Sequence, residues 1–166
     1  MSLPEELVDA PVWEKCRYFD DFEVGEVIHH HWGRSFTETD NKIFASVTLS
    51  YHPVYFNAAY AEEHGQADTV HPMLLFCTVL GLTVEDLSEA GGAFLGVDEL
   101  VFHRPVRLGE SVLTRSEVLE VRESRSRPEQ GIVRWHTQGY VQGGDGVEVV
   151  VEYDRANLLP KRGQGS

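Results

Sequence analysis

The sequence predicts a single domain of the α+β class, in which a curved antiparallel sheet wraps around one buried helix. Three observations lead to this prediction: a first strand precedes a block of helices, the last of these helices is apolar on almost every side, and long strands in meander spacing fill the second half of the chain. The 166 residues, 42% of them apolar and 25% charged, suffice for one domain with a hydrophobic core.

The first half of the chain contains the first strand and the helices. Residues 26–36 alternate loosely between polar and apolar side chains, which predicts a strand. Residues 37–40 have the spacing of a capping box and predict the start of a first helix. A second helix is expected from Pro53 or Val54 toward Glu63. The third helix begins near Pro72, and its continuous run of apolar side chains is typical of a helix buried all round.

Five further strands and the domain limits complete the predicted organisation. The strands are expected at residues 93–97, 99–106, 111–122, 132–141 and 147–157. Residues 1–17 are expected to form an irregular lead-in, residues 18–159 the single domain, and residues 160–166 a frayed tail.

Composition argues against several classes of partner. The formal net charge is −13, so repulsion disfavours nucleic acid and anionic membrane surfaces. The longest apolar run, residues 73–82, falls well short of the roughly 20 residues needed to cross a bilayer. The first residues lack the pattern of a signal peptide, and Cys16 and Cys77 form no metal or redox motif, so we expect a cytoplasmic protein with reduced thiols.

Three stretches of the chain share the pattern of a known family. Residues 18–25 look like its opening before the first strand, and residues 100–106 followed by Gly109-Glu110 look like its central strand and turn. Residues 37–61 have its two short helices around a loop, with Pro53 where the signature proline belongs. Together they resemble the MaoC-like enoyl-CoA hydratases of the hot-dog superfamily, over nearly the whole chain. The resemblance implies the hot-dog fold.

A second stretch narrows the resemblance. Residues 117–128, continuing to 131–133, look like the subgroup that hydrates mesaconyl-CoA or itaconyl-CoA. The resemblance implies a hydratase or dehydratase that adds or removes water at the α,β-position of a short, branched dicarboxylic acyl-CoA thioester. It also implies no cofactor beyond the CoA of the substrate, and an assembly of at least two subunits with CoA along their interface.

The signature loop departs from this family at both catalytic positions. Active members carry an aspartate and, five residues later, a histidine, where this chain has Ser50 and Tyr55. Neither replaces the lost base at neutral pH, whereas His52, with an ordinary pKa of about 6.5, can exchange a proton there. The hypothesis is therefore that His52 activates water while Tyr55 donates a hydrogen bond, and the predicted catalytic set is His52, Tyr55 and Ser50. The alternative is that His52 and Tyr55 only pack and bond at a helix start.

The expected oxyanion site also departs from the family, which has a glycine after the histidine that opens the central helix. This chain reads His71-Pro72-Met73, and proline has no backbone N–H. The N–H of Met73 and the helix N-terminus remain as donors. His71 either caps the helix or contacts the ligand, and Asn57 is predicted to join this substrate-binding set.

Basic side chains offer candidate sites for the CoA phosphates or a second substrate carboxylate. Arg104 lies in the predicted central strand, and guanidinium groups bind both anions bidentately. The densest positive cluster consists of Arg122, Arg125 and Arg127. The alternatives are that Arg104 pairs with an acidic neighbour and that the cluster lies in a solvated turn and pairs with glutamates.

A metal site is not expected. His29-His30-His31 is the one tempting motif, but only its first and last histidines share a face of a strand. A solvated strand is the preferred interpretation of this motif.

Three functions remain open from the sequence alone. The first is a hydro-lyase in which His52 and Tyr55 replace the usual pair. The second is an acyl-CoA-binding protein that has lost the chemistry, for instance as one half of a hetero-oligomer with an active homologue. The third is a thioesterase, suggested by fold analogy only. For the leading function we predict a homodimer, or a higher homo-oligomer, joined edge to edge, because an open sheet edge is a liability that pairing removes.

Overall fold

The computed structural model describes residues 16–143 and 146–163 and confirms the α+β fold. One antiparallel sheet has the strand order β1-β4-β5-β6-β3, and β2 pairs with the start of β4. The strands are β1 (Val27–His29), β2 (Arg34–Ser35), β3 (Ala93–Phe102), β4 (Ser111–Glu123), β5 (Gln130–Gly143) and β6 (Gly146–Pro160). The helices are α1 (Glu38–Thr48), α2 (Ala58–Glu63), α3 (Pro72–Leu82) and α4 (Val84–Leu87), with 3₁₀ turns at Phe19–Asp21 and Pro53–Tyr55.

The core lies between the central helix α3 and the inner face of the sheet. Val79 of α3 is completely buried against β5 and β6, where Gly139 leaves room for it. A second cluster lies under the N-terminal turn, where the rings of Phe22 and Trp135 meet edge to face at 5.3 Å between centroids. The first cluster, which includes Leu74, Leu75 and Val79, holds α3, and hence its N-terminus, at a defined height above the sheet.

The prediction that α3 is buried all round was wrong. Leu75 and Val79 face the sheet and are buried, but the side chain of Cys77 is exposed and Met73 is 41% exposed. A single sheet covers only one side of a helix, so a wholly apolar helix keeps an uncovered side within the described part of the chain.

The predicted strand over residues 26–36 was also wrong in its length. It is broken between His29 and Arg34, although the backbone N–H of the buried His30 still donates to the Thr114 carbonyl of β4 at 3.1 Å. The two predicted strands at 93–97 and 99–106 are instead one strand, β3, with register shifts, and Glu99 there has a positive φ of 54°. Since β3 ends at Phe102, the predicted strand position of Arg104 was wrong as well.

The predicted second helix is two separate pieces. A 3₁₀ turn covers Pro53–Tyr55, and α2 begins only after Asn57, whose side chain accepts a hydrogen bond from the backbone N–H of Tyr60 at 3.2 Å. The interruption leaves the signature loop between α1 and α2 as a distinct segment.

The limits of the domain at residues 18 and 159 remain predictions. The lead-in over 1–17 lies almost wholly outside the described residues, as do residues 144–145 and 164–166. Strand β6 extends to Pro160, and Arg162 binds the carboxylate of Asp21 at 2.6 Å. Among the helices of the described residues, none has the length and apolar character to cross a membrane.

Candidate active site

The signature loop is held by the two ends of α1. At its start, the capping box predicted from the sequence is confirmed: the Asp40 carboxylate accepts from the Thr37 N–H at 2.8 Å. At its end, Leu49 adopts the left-handed conformation (φ 55°), and the Ser50 N–H donates to the Ala45 carbonyl at 3.0 Å. This reversal brings Ser50 back toward the start of α3.

Ser50 and His71 meet directly. The Oγ of Ser50 lies 2.9 Å from Nε2 of His71, and the backbone N–H of Met73 donates to Nδ1 of the same ring at 3.1 Å. His71 is buried, with 6% of its surface exposed, and burial, assisted by the charge of His52, lowers its pKa. His71 is therefore neutral at neutral pH and acts as the N-cap of α3, one of the two roles that the sequence left open.

Asn41 also belongs to this site, and sequence reasoning missed it. Its side chain is buried on α1, accepts from the His71 N–H at 2.9 Å and donates to the Thr69 carbonyl at 2.8 Å. The signal that could have identified it is a polar residue at a core position of an amphipathic helix, because such a group needs a buried partner.

Tyr55 lies between the two histidines of the site. Its ring centroid is 4.3 Å from that of His71 and 5.7 Å from that of His52. Burial raises the pKa of the Tyr55 hydroxyl, so it stays protonated and can donate a hydrogen bond. His52 is exposed to solvent at the start of the 3₁₀ turn.

A cavity of about 570 Å³ opens beside this cluster. Its lining includes Tyr55, Val70 and Pro72, together with residues 102–107, which run from the last residue of β3 onward. Ser50 and His52 are not among the residues that line it. The cavity therefore reaches the cluster through Tyr55 and the start of α3.

Two of the predicted substrate donors are engaged inside the protein. The Met73 N–H is directed at His71, and the Asn57 side chain caps α2. Their predicted contacts with an oxyanion would require these bonds to be exchanged.

The four predicted anion-binding arginines lie at two ends of the sheet. Glu110 binds Arg104 through both carboxylate oxygens, at 2.9 and 3.0 Å, and Glu148 binds it at 2.9 Å, which favours the acidic-neighbour alternative. Arg104 follows the end of β3, whereas the hairpin between β4 and β5 is at the end of the sheet where β3 starts, separated from β3 by β6. That hairpin carries Arg122, bound to Glu120 at 3.0 Å, together with Arg125 and Arg127.

The histidine motif divides between surface and core. His29 and His31 are exposed, as a solvated strand requires, but that interpretation was wrong for His30. Its Nδ1 lies 2.6 Å from the Asp86 carboxylate and its Nε2 lies 2.9 Å from the Ser116 hydroxyl, and burial lowers its pKa. Within residues 16–143 and 146–163, no three His, Cys, Asp or Glu side chains are grouped to hold a metal ion.

The sheet wrapped around α3, with the signature loop at the helix start, defines a hot-dog protein of the MaoC-like class. A putative MaoC-domain dehydratase from Chloroflexus aurantiacus superposes with a TM-score of 0.80 at 29% identity, over 90% of this chain and 42% of that one. A Mycobacterium tuberculosis protein with a double hot-dog fold superposes with a TM-score of 0.79 at 20% identity, over 90% of this chain and 46% of that one, which shows the fold alone.

Sequence comparison then gives the family. The model of the mesaconyl-CoA hydratase family matches residues 4–165, and the chain belongs to that family. It is 38% identical to the mesaconyl-CoA hydratase of Haloarcula hispanica, over 95% of this chain and 44% of that protein. It is 31% identical to the beta-methylmalyl-CoA dehydratase of Chloroflexus aurantiacus, over 87% of this chain and 40% of that protein. The chain thus spans less than half the length of these relatives.

Proposed function

We propose that this chain is a hydratase or dehydratase that adds or removes water at the α,β-position of a short acyl-CoA thioester, with branched dicarboxylic esters of the mesaconyl type as the first candidates. The observation that carries the proposal is the cavity of about 570 Å³ whose lining includes Tyr55 and Pro72 at the start of α3, in a member of a hydratase family. The relatives are named for hydration and dehydration, which does not favour the thioesterase alternative. The proposal includes a cytoplasmic location and no cofactor beyond the CoA of the substrate.

The chemistry needs a proton acceptor, a proton donor and a group that stabilises the enolate oxygen. In our proposal neutral His52 takes a proton from water as the oxygen adds to the β-carbon, and the protonated ring then delivers a proton to the α-carbon. Tyr55, which stays protonated, donates a hydrogen bond to the attacking water or to the substrate. Dehydration follows the same steps in reverse.

The proposed working unit contains two hot-dog folds. Strand β3 is at the edge of the sheet, and its side chains Phe94 and Leu95 are 54% and 50% exposed. Pairing of β3 with β3 of a second copy would remove this open edge and give a homodimer or a larger homo-oligomer. The relatives, about twice as long, and the double hot-dog neighbour support a pair of folds.

One observation favours a second candidate function. Ser50 and Tyr55 occupy the positions where the family's aspartate and histidine are expected, so this chain can instead be the acyl-CoA-binding half of a hetero-oligomer. In that case an active homologue supplies the base, and this chain alone binds thioesters without hydrating them.

The test compares wild type with His52→Ala and Tyr55→Phe in hydration of mesaconyl-CoA, itaconyl-CoA and crotonyl-CoA, followed by loss of enoyl-thioester absorbance at several pH values. Acid–base assistance contributes about a hundredfold to ten-thousandfold, so His52→Ala should lower kcat by a factor in that range. His29→Ala, at an exposed histidine on β1, is the matched control and should not change kcat.

Three outcomes separate the alternatives. A His52→Ala variant within about threefold of wild type would show that His52 is not the base. A wild type that binds these esters without hydrating any would move the binding function to first place. Light scattering at micromolar concentration should show at least a dimer, and a strictly monomeric protein would contradict the proposed assembly.

A further inference from the structure

We propose that Ser50 donates a hydrogen bond to the carbonyl oxygen of the bound thioester, and that His71 and Asn41 are the positioning residues that hold it in this role. This inference rests on the acyl-CoA ligand of the proposed function. It assigns Ser50 neither the work of a base nor that of a nucleophile.

The first step is the tautomer of His71. The Met73 N–H donates to Nδ1 of His71 at 3.1 Å, so Nδ1 must carry a lone pair. In a neutral imidazole the proton then lies on Nε2. Nε2 is 2.9 Å from Ser50 Oγ, and His71 is therefore the donor in that bond and the serine oxygen is the acceptor.

The second step is the consequence for the hydroxyl. Since Ser50 accepts from His71, its own hydrogen is directed away from the ring and remains available to another acceptor. A hydroxyl that accepts one hydrogen bond is also a better donor, because each bond in a chain of hydrogen bonds strengthens the next by about 10–30%. His71 cannot remove the serine proton, because the nitrogen that faces Ser50 has no lone pair.

The third step is the need for such a donor at this place. Pro72 has no N–H, and the Met73 N–H is already engaged by His71. The first two residues of α3 thus offer no free backbone N–H to a thioester oxygen. Ser50 is half-buried and lies one hydrogen bond from His71, whose chain neighbours Val70 and Pro72 both line the cavity.

The fourth step is the support of His71 itself. Asn41 bonds the backbone on both sides of Val70, with its amide oxygen on the His71 N–H at 2.9 Å and its amide nitrogen on the Thr69 carbonyl at 2.8 Å. This clamp fixes the His71 backbone relative to α1, and α1 ends at Thr48, two residues before Ser50. Asn41 therefore sets the geometry of the Ser50–His71 bond without facing the ligand.

The experiment uses butyryl-CoA labelled with ¹³C at the thioester carbonyl, a saturated ester that cannot be hydrated. Infrared difference spectra of the bound ester should show a carbonyl band at lower frequency than in water-free solvent for wild type and for Ser50→Thr, which keeps a hydroxyl. Ser50→Ala should lose that shift. An unchanged band in Ser50→Ala, or no binding of butyryl-CoA by wild type, would overturn the inference.

Nuclear magnetic resonance tests the positioning residues independently of activity. Nitrogen-15 spectra of wild type should show His71 with its proton on Nε2, and a proton on Nδ1 would overturn the assignment. Asn41→Ala should speed solvent exchange of the Nε2 proton and reduce the carbonyl shift, whereas Lys42→Ala, at the exposed neighbour, should do neither. If Asn41→Ala does not fold, the Ser50 variants and the wild-type tautomer still decide.

Kinetics separates this inference from the proposed function. If the chain is a hydratase, Ser50→Ala should lower kcat about a hundredfold to a thousandfold, as loss of one oxyanion donor does, without shifting the pH profile. A pH profile displaced by Ser50→Ala would indicate a base and overturn the inference. If wild type hydrates nothing, but the carbonyl shift seen in wild type is lost in Ser50→Ala, the hydratase proposal fails while the inference stands.

Discussion

Replacement of Gly139 by alanine tests how closely the central helix is packed against the sheet. A Cβ at this position would lie 2.7 Å from Cγ2 of Val79 and 2.8 Å from Cγ1 of Val151. Carbon atoms prefer separations of about 3.5–4.0 Å, so α3 must move away by up to about 1 Å or both valines must leave their preferred rotamers. Overpacking of this kind costs about 1–3 kcal/mol of unfolding free energy.

The assay is urea unfolding followed by tryptophan fluorescence and circular dichroism. A matched control is available on the same helix: a Cβ at Gly81 would meet nothing within 4 Å, and the residue is exposed. Gly81→Ala should therefore stabilise by about 0.5–1 kcal/mol through helix propensity. The double variant Gly139→Ala/Val79→Ala should be less destabilised than the sum of the two single variants, because both changes act at one contact. A Gly139→Ala protein as stable as wild type would refute the close contact.

Three further predictions concern strain, acid stability and an ion pair. Leu49→Gly should leave the free energy of unfolding unchanged or raise it by up to about 1 kcal/mol, measured by thermal unfolding. A non-glycine residue in the left-handed conformation costs about 1–2 kcal/mol, and the greater chain entropy of glycine in the unfolded state offsets part of the relief; a clear loss of stability would contradict the strain at Leu49. Burial lowers the pKa of His30 and His71 in the folded state, so below the ordinary histidine pKa of about 6.5 the unfolded chain binds more protons than the folded chain. Their contribution to the free energy of unfolding should therefore be complete above that pH and be lost as the pH falls below it, and a free energy of unfolding that stays constant as the pH falls would be inconsistent with it. Glu110→Gln should lower the free energy of unfolding by at most about 1 kcal/mol at neutral pH, because the ion pair of Glu110 with Arg104 is partly exposed. Arg104 lowers the pKa of Glu110, so the difference between variant and wild type should vanish only in acid, where the wild-type carboxylate becomes protonated.

The elements that local chemistry specifies could be predicted from the sequence. The capping box places the start of α1, and α3 covers the predicted apolar run from Pro72 to Leu82. The long strands β4, β5 and β6 follow from alternation and from the turns between them. In each case the signal lies within a few residues of the element that it predicts.

The features that depend on distant partners could not be predicted. His30 is buried rather than solvated because Asp86, on the short helix α4, and Ser116, on β4, offer its ring hydrogen bonds. Asn41 belongs to the candidate site because its side chain bonds the backbone of Thr69 and His71, and no pattern within α1 reveals these two partners. The motif gave the identity of the signature loop residues, but the direction of the Ser50–His71 bond required the position of the Met73 N–H.

The most direct test of the central claim is hydration of mesaconyl-CoA by the purified chain in D₂O, with the product analysed by mass spectrometry and proton resonance. The account predicts a hydroxyl on the β-carbon and one deuterium on the α-carbon, introduced by His52 from solvent, and a strongly reduced yield of this product with His52→Ala. Binding of mesaconyl-CoA without any hydrated product would contradict the account and assign this chain to the binding half of a larger enzyme.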